Sequence, residues 1–317
     1  MKHEAEASAL DDLQRRAAGF FRALQHRIVA ALEALDPGSH FLSDTWERPG
    51  GGGGDTRVME GGAFLEKGGV NWSEVHGELP ADFAAKLPGD GTAFWASGVS
   101  LVLHPRNPYV PTVHANFRML RQGNRAWFGG GADLTPYYLF DEDAQHFHRT
   151  LKAACDAADP RFHPDFKQQC DQYFFLPHRQ EARGVGGVFY DHLTGDAHGL
   201  DLEQVFAFAQ GIGQAFLPAY LPIAERRMGL AYGERERDWQ SFRRGRYVEF
   251  NLMYDRGTLF GLRTSGRIES ILMSLPPLVH WRYDHHPAPG SPEAALVAAL
   301  APRDWAGQGD PPVASQA

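Results

Sequence analysis

Two runs of alternating side chains, Ser100–His104 and Thr112–Arg118, constrain this chain more than any other feature of its sequence. Successive residues of a strand face opposite ways, so Ser100, Val102 and His104 share one face while Leu101 and Leu103 share the other. In the second run Thr112, His114, Asn116 and Arg118 lie on one side, with Val113, Ala115, Phe117 and Met119 on its opposite. A hairpin through Pro105–Pro111 sets the two polar faces side by side, bringing together two imidazoles, two hydroxyls, an amide and a guanidinium. An antiparallel sheet with one wet face would need no further explanation. Such a face normally carries Lys and Glu, however, and this one carries neither. It reads as the wall of a binding cavity.

The remaining pattern sets that wall in a mixed fold. Apolar residues at three- and four-residue spacing predict a helix over Leu10–Leu35, stopped by Asp36-Pro37-Gly38. Extended segments are expected at Thr56–Met59, Gly98–His104, Thr112–Leu120, Ala126–Phe128 and Gly187–Asp191, and helices at Asp141–Asp156, Pro164–Leu176 and Leu202–Met228. The charged run Glu234–Arg246 reads as a solvated helix face. Beyond it, Tyr247–Tyr254 and Thr258–Leu262 suggest a hairpin turned by Asp255-Arg256-Gly257, and Ser265-Gly266-Arg267 a turn leading to Ile268–Ser274. Strands thus arrive as hairpins, without a βαβ rhythm or a Gly-x-Gly-x-x-Gly fingerprint. The expectation is an α+β fold, a large, mostly antiparallel sheet with helices packed against it. No composition break divides the 317 residues, so one domain is expected over 1–305 and a flexible tail over 306–317.

Composition excludes several classes. With 43% hydrophobic and 22% charged residues the chain is globular. A net charge of −8 supplies no basic footprint for nucleic acid. The two cysteines form no Cys-x-x-Cys pair, there is no apolar leader and no run of about 18 apolar residues, so a cytoplasmic protein without a transmembrane segment is expected. Of 31 basic residues 26 are Arg, the side chain suited to bidentate grip on carboxylates. A GC-rich genome would give the same excess, so position has to carry the case.

Several residues outside the two strands can carry chemistry. Gly50–Gly54 lacks the Gly-Lys-Ser/Thr ending of a phosphate loop and reads as a flap or a close backbone approach. Asp133 follows Trp127-Phe128 and three glycines, where burial beside aromatic rings would raise its pKa towards proton transfer, or it caps a turn. Arg179 and Arg183, four apart, could clamp a carboxylate. His146 and His148 point about 200° apart if helical. His104, His114, His148 and His178 are candidate ligands for a divalent metal, although their spacing alone does not assemble them.

Longer stretches resemble the oxygen-dependent coproporphyrinogen III oxidases of haem biosynthesis: GGGGDTRVMEGG, EKGGVNWSEVHGELP, GVSLVLHPRNPYVPTVHANFR, WFGGGADLTPYYLFDEDAQHFHRTLK, DQYFFLPHRQEARGVGGVFYD, RRGRYVEFNLMYDRGTLFGLRTSGRIESILMSLPP and the closing PRDW. The resemblance implies a homodimer built on a seven-stranded antiparallel sheet between helices. The implied reaction turns two propionates of coproporphyrinogen III into vinyls with dioxygen, giving protoporphyrinogen IX, carbon dioxide and hydrogen peroxide. No organic cofactor is implied, and the need for a divalent metal is left open. Carried over residue by residue, Ser100, Asn116, Phe117, Arg118, Ser265, Gly266 and Arg267 contact substrate, with Arg183 a further candidate. His114 donates a proton, Asp133 is the motif acid, and the metal-associated histidines are His104, His114, His148 and His178. Ser265 stands where the family has glycine. Two other readings use the same residues. A mononuclear iron oxygenase would want two histidines and a carboxylate, but no His-x-Asp/Glu element is present, and a tetrapyrrole carrier would use the arginines for binding alone.

Overall fold

The computed structural model describes residues 2–263 and 266–307, so Ser265 and the tail from 308 lie outside the described residues. Helix α1 (Lys2–Leu35) is the first element. Its apolar stripe, Leu13, Ala17, Phe21, Leu24, Ile28 and Leu32, is buried along its length. Behind it come β1 (Leu42–Glu47), β2 (Gly52–Glu60), β3 (Leu65–Glu78), the short α2 (Ala81–Ala84), β4 (Ala93–Pro105), β5 (Thr112–Gln122) and β6 (Arg125–Thr135). Helices α3 (Asp141–Asp156) and α4 (Phe162–Tyr173) follow, then the two-residue ladder of β7 (Phe175–Leu176) with β8 (Glu181–Ala182), and β9 (Gly186–Leu193). The chain continues through α5 (Leu202–Arg227), α6 (Glu234–Met253), α7 (Arg256–Arg263), α8 (Ile268–Leu272) and α9 (Pro292–Ala299).

Seven strands form one antiparallel sheet in the order β1-β2-β3-β4-β5-β6-β9, with helices on both faces, as expected of an α+β fold. The Pro105–Pro111 connection does fold β4 back onto β5, pairing Ser100 with Asn116 and Val102 with His114. Alternation then sorts the faces. Val99, Leu101, Leu103, Val113, Ala115, Phe117 and Met119 enter a core shared with α1 and with Val205, Phe208, Ile212 and Phe216 of α5. At roughly 25 cal/mol per Å2 of apolar surface removed from water, burial of this kind is the main stabilising term. The opposite face is covered by α6 to α8, Thr56 Oγ1 meeting Ser270 Oγ at 2.7 Å and Ser274 O meeting His104 Nε2 at 2.9 Å.

Three expectations change. Strands β1 and β3 were not legible: β3 carries a glycine pair at 68 and 69, where a Cβ on Gly69 would lie 2.5 Å from Met273 Sδ, so packing in place of alternation selects those residues. The expected hairpin at Tyr247–Leu262 is helix instead. Trp239, Phe242, Tyr247 and Phe250 bury one face of α6, and the Asp255-Arg256-Gly257 turn is the cap of α7, with Asp255 Oδ2 accepting from Thr258 N at 2.7 Å. Nor is Glu234–Arg246 a solvated face, because Arg243, Arg244 and Arg246 are buried against Glu181 and Glu66. The glycine run resolves as close approach: Gly52 and Gly53 lie in β2, where Cβ atoms would come 2.1 Å from Glu74 O and 2.3 Å from Trp46 O. Among the described residues, no helix is long and apolar enough to cross a membrane.

Candidate active site

Between the polar face of the sheet and the α6–α8 cover lies a cavity of about 870 Å3. Ser100 and Val102 from β4 and His114, Asn116 and Arg118 from β5 form its floor, while Tyr247, Asn251, Arg256, Gly266, Arg267 and Ser274 close it from above. The expected wall therefore exists, and its volume suits a large organic ligand.

His114 and Asp133 are directly paired across β5 and β6. His114 Nδ1 lies 2.8 Å from Asp133 Oδ1, with the acid essentially out of solvent and the imidazole opening to the cavity. Behind them Arg183 Nη2 donates to both Asp133 oxygens at 2.9 and 2.8 Å, and its Nη1 donates to Asn251 at 3.1 Å. The rings of Phe174, Tyr247 and Phe250 surround that guanidinium at 4.2, 4.5 and 4.8 Å. Burial alone would push the Asp133 carboxyl up, as the sequence suggested, but Arg183 and then His114 hold it below its ordinary value. An ionised carboxylate only accepts. Nδ1 must therefore carry the hydrogen, which leaves the other ring nitrogen to serve the cavity.

Arg118 lies in a trough of glycine. Gly98 and Gly129 flank it across the two ladders, and a Cβ at Gly98 would stand 2.8 Å from the Arg118 Cβ. Its guanidinium donates to Asn116 Oδ1 at 2.6 Å and to Asp191 Oδ1 at 2.9 Å. Burial opposes ionisation of Asp191, yet Arg118, His192 and Arg256 keep its pKa below the ordinary value. Arg267 reaches the cavity from above, held by Asp44.

Other expected site residues sit elsewhere. Phe117 is fully buried on the opposite face of β5, in the core, so its side chain cannot line the cavity. Arg183 touches the cavity, but its two terminal nitrogens donate to Asp133 and Asn251, and its Nε is buried without a hydrogen-bond partner among the described residues. The four candidate metal histidines are dispersed in use. His104 is enclosed between Thr112 Oγ1 at 3.1 Å and Ser274 O at 2.9 Å, and His148 meets Val185 O at 3.0 Å, while His178 meets Glu249 at 2.9 Å and Tyr254 at 2.8 Å. Among the described residues, no three His, Cys, Asp or Glu side chains come together to hold a metal ion. These histidines do not fit a shared metal. His146 bonds Pro218 O and shares no site with His148. Asp191, His192 and Arg256 line the cavity without having been foreseen. The strand through Asp191 was legible, but the break in register that turns it inward has no sequence signature.

A coproporphyrinogen III oxidase family model matches residues 16–305 of the chain. The chain belongs to the coproporphyrinogen III oxidase family. Similar curated proteins include the oxygen-dependent coproporphyrinogen-III oxidase of Parasynechococcus marenigrum (strain WH8102), 53% identical over 94% of this chain and 88% of that protein. The protein of the same name from Synechococcus sp. (strain CC9605) is 52% identical, over 93% of this chain and 88% of its own length. The His114 imidazole and the arginine-bearing floor line one cavity, with Asp133 enclosed behind the imidazole.

Proposed function

We propose that the cavity binds coproporphyrinogen III and that the protein decarboxylates two of its propionates oxidatively, with dioxygen as acceptor, in haem biosynthesis. For each propionate, one carboxylate, one proton and one dioxygen become a vinyl group, carbon dioxide and hydrogen peroxide. The observation that carries this reading is the pairing of His114 with a buried, ionised Asp133 at a cavity bearing Arg118 and Arg267. Arg118 and Arg267 bind carboxylates of the substrate, helped by Ser100, Asn116 and Gly266. His114 carries the proton that the reaction consumes. Asp133 fixes the tautomer and orientation of His114, and is too enclosed to reach the substrate. Arg183 keeps Asp133 ionised. No step is assigned to a metal.

The protein also acts as a cytoplasmic homodimer in this reading. Leu252, Met253, Leu262, Ile268, Leu278 and Trp281 are large apolar side chains left exposed on the α6–α8 side, a surface that a second copy would cover. The deciding experiment supplies coproporphyrinogen III under air and under nitrogen. Protoporphyrinogen, carbon dioxide and peroxide are expected under air alone. Tight binding without product under air would leave only a tetrapyrrole carrier.

A further inference from the structure

Asp191 owes its place in the cavity to a break in the sheet. Strands β6 and β9 pair Gly130 with Tyr190 but Phe128 with Leu193, so Asp191 and His192 together oppose the single residue Gly129. Such a bulge re-aims the side chains it carries. His192 takes the left-handed region, φ 53°, and its N–H donates to Asp191 Oδ1 at 3.1 Å. Gly129 completes the arrangement by absence: a Cβ there would lie 2.9 Å from Asp191 Oδ1 and 3.0 Å from Arg118 Cζ.

The two carboxylate oxygens of Asp191 are used differently. Oδ1 accepts from Arg118 and from the His192 N–H. Oδ2 has no hydrogen-bond donor among the described residues, and Arg256 approaches it only to 3.5 Å. The other acids near the cavity are spent or peripheral. Asp255 accepts from Tyr173 Oη and Thr258 N, Asp133 is held by His114 and Arg183, and Glu47 and Glu78 are exposed at the rim. A wall built to hold carboxylates with guanidinium donors thus contains one acid, Asp191, with an oxygen that accepts no hydrogen bond from the described residues and is faced only by Arg256 at 3.5 Å.

A ligand that enters as a polycarboxylate presents acceptors at its periphery. A porphyrinogen has donors as well, the N–H groups of its four pyrroles. We propose that Asp191 Oδ2 accepts a pyrrole N–H of the substrate while Oδ1 holds Arg118 within reach of a propionate. Asp191 is then a substrate-binding residue that couples recognition of the ring to recognition of its carboxylate. This rests on the porphyrinogen reading above.

The test compares two ligands with the same four carboxylates: coproporphyrinogen III as substrate, and coproporphyrin III, its fully oxidised ring with only two N–H groups, as inhibitor. In Asp191→Asn the KM for the porphyrinogen is expected to rise roughly tenfold, the scale of one hydrogen bond to a charged group. The inhibition constant of the porphyrin should move much less. If both constants rise together, Asp191 serves only to support Arg118 and the proposal is overturned; it is equally overturned if neither moves. Should the Asn variant not fold, Asp191→Glu, which keeps the charge and displaces the oxygens by one methylene, allows the same comparison. Wild-type enzyme that fails to turn over coproporphyrinogen III would sink the function itself, a result separate from any ratio measured on the variants.

Discussion

His114 Nδ1 and Asp133 Oδ1 stand 2.8 Å apart on neighbouring strands, at positions that pair directly in the ladder. Because the carboxylate is held ionised, this bond sets which ring nitrogen bears hydrogen. Asp133→Asn would keep the shape and remove that instruction, since an amide can offer either a donor or an acceptor. A fall in kcat on the order of a hundredfold or more is expected, the range of a misaligned general acid or base. KM for the porphyrinogen should change little, because Asp133 does not line the cavity. Steady-state kinetics separates the two. A raised KM at unchanged kcat would mean that the acid touches substrate after all.

Arg183 gives a prediction about stability in place of binding. Its guanidinium and the Asp133 carboxylate are both nearly inaccessible, so Arg183→Met leaves a buried charge without its main partner. Breaking such a pair costs about 3–5 kcal/mol. The loss should shrink as pH falls, because the stranded carboxyl, its pKa raised by burial, then takes up a proton. Urea titrations at neutral and mildly acid pH read both quantities. A variant of undiminished stability with a raised KM would return Arg183 to the substrate-binding role that its sequence position suggested.

Gly129→Ala tests the trough around Arg118. The added methyl would stand within 3.0 Å of both the Arg118 guanidinium and Asp191 Oδ1, so one of them must shift. Because these are the far ends of flexible side chains, the fold should survive. We expect a several-fold rise in KM, roughly 1 kcal/mol, with a smaller effect on kcat. An alanine enzyme with unaltered KM would separate Arg118 from substrate binding.

What was legible in the sequence follows from where alternation or helical period acts alone. Ser100, His114, Asn116 and Arg118 declared themselves because β4 and β5 have one apolar and one polar face. The same alternation carried Phe117 into the core, where its motif neighbours do not go. Tyr247–Met253 misled because β-favouring residues there are selected for packing on one side of a helix, a tertiary demand that overrides propensity. Asp191 could not be foreseen, since its aim depends on a bulge that only the pairing of two distant strands creates. The sign of the Asp133 shift was likewise hidden. It depends on Arg183, fifty residues away in the chain.

The histidines bear on metal dependence. His104 and His178 spend both ring nitrogens, and His148 its Nε2, on backbone or side-chain partners in different places, while His114 Nδ1 is committed to Asp133. Turnover is accordingly expected to persist after exhaustive dialysis against a chelator, with elemental analysis confirming metal-free enzyme. Activity that disappears with the metal and returns on its addition would require a site assembled from other residues.

His148 makes the clearest pH prediction. Burial, then the nearby charge of Lys167, pushes its pKa down to about 3, and the ring is wholly enclosed against Val185 O. In the unfolded chain the same imidazole titrates near about 6.5. Between those values the unfolded state binds more protons than the folded one, so stability rises with pH in this window and is lost as pH falls through it. The stabilisation is complete above the unfolded value. At pH 5 the shift corresponds to a loss of roughly 2 kcal/mol relative to neutral pH. His148→Gln cannot take up a proton and should flatten this part of the profile, even if its stability at neutral pH is lower. Denaturant midpoints of both proteins between pH 7.5 and about 4.5 provide the comparison. Parallel profiles would show that the acid sensitivity of the fold comes from other groups, with His104, also buried and pushed well below its ordinary value, the next to replace.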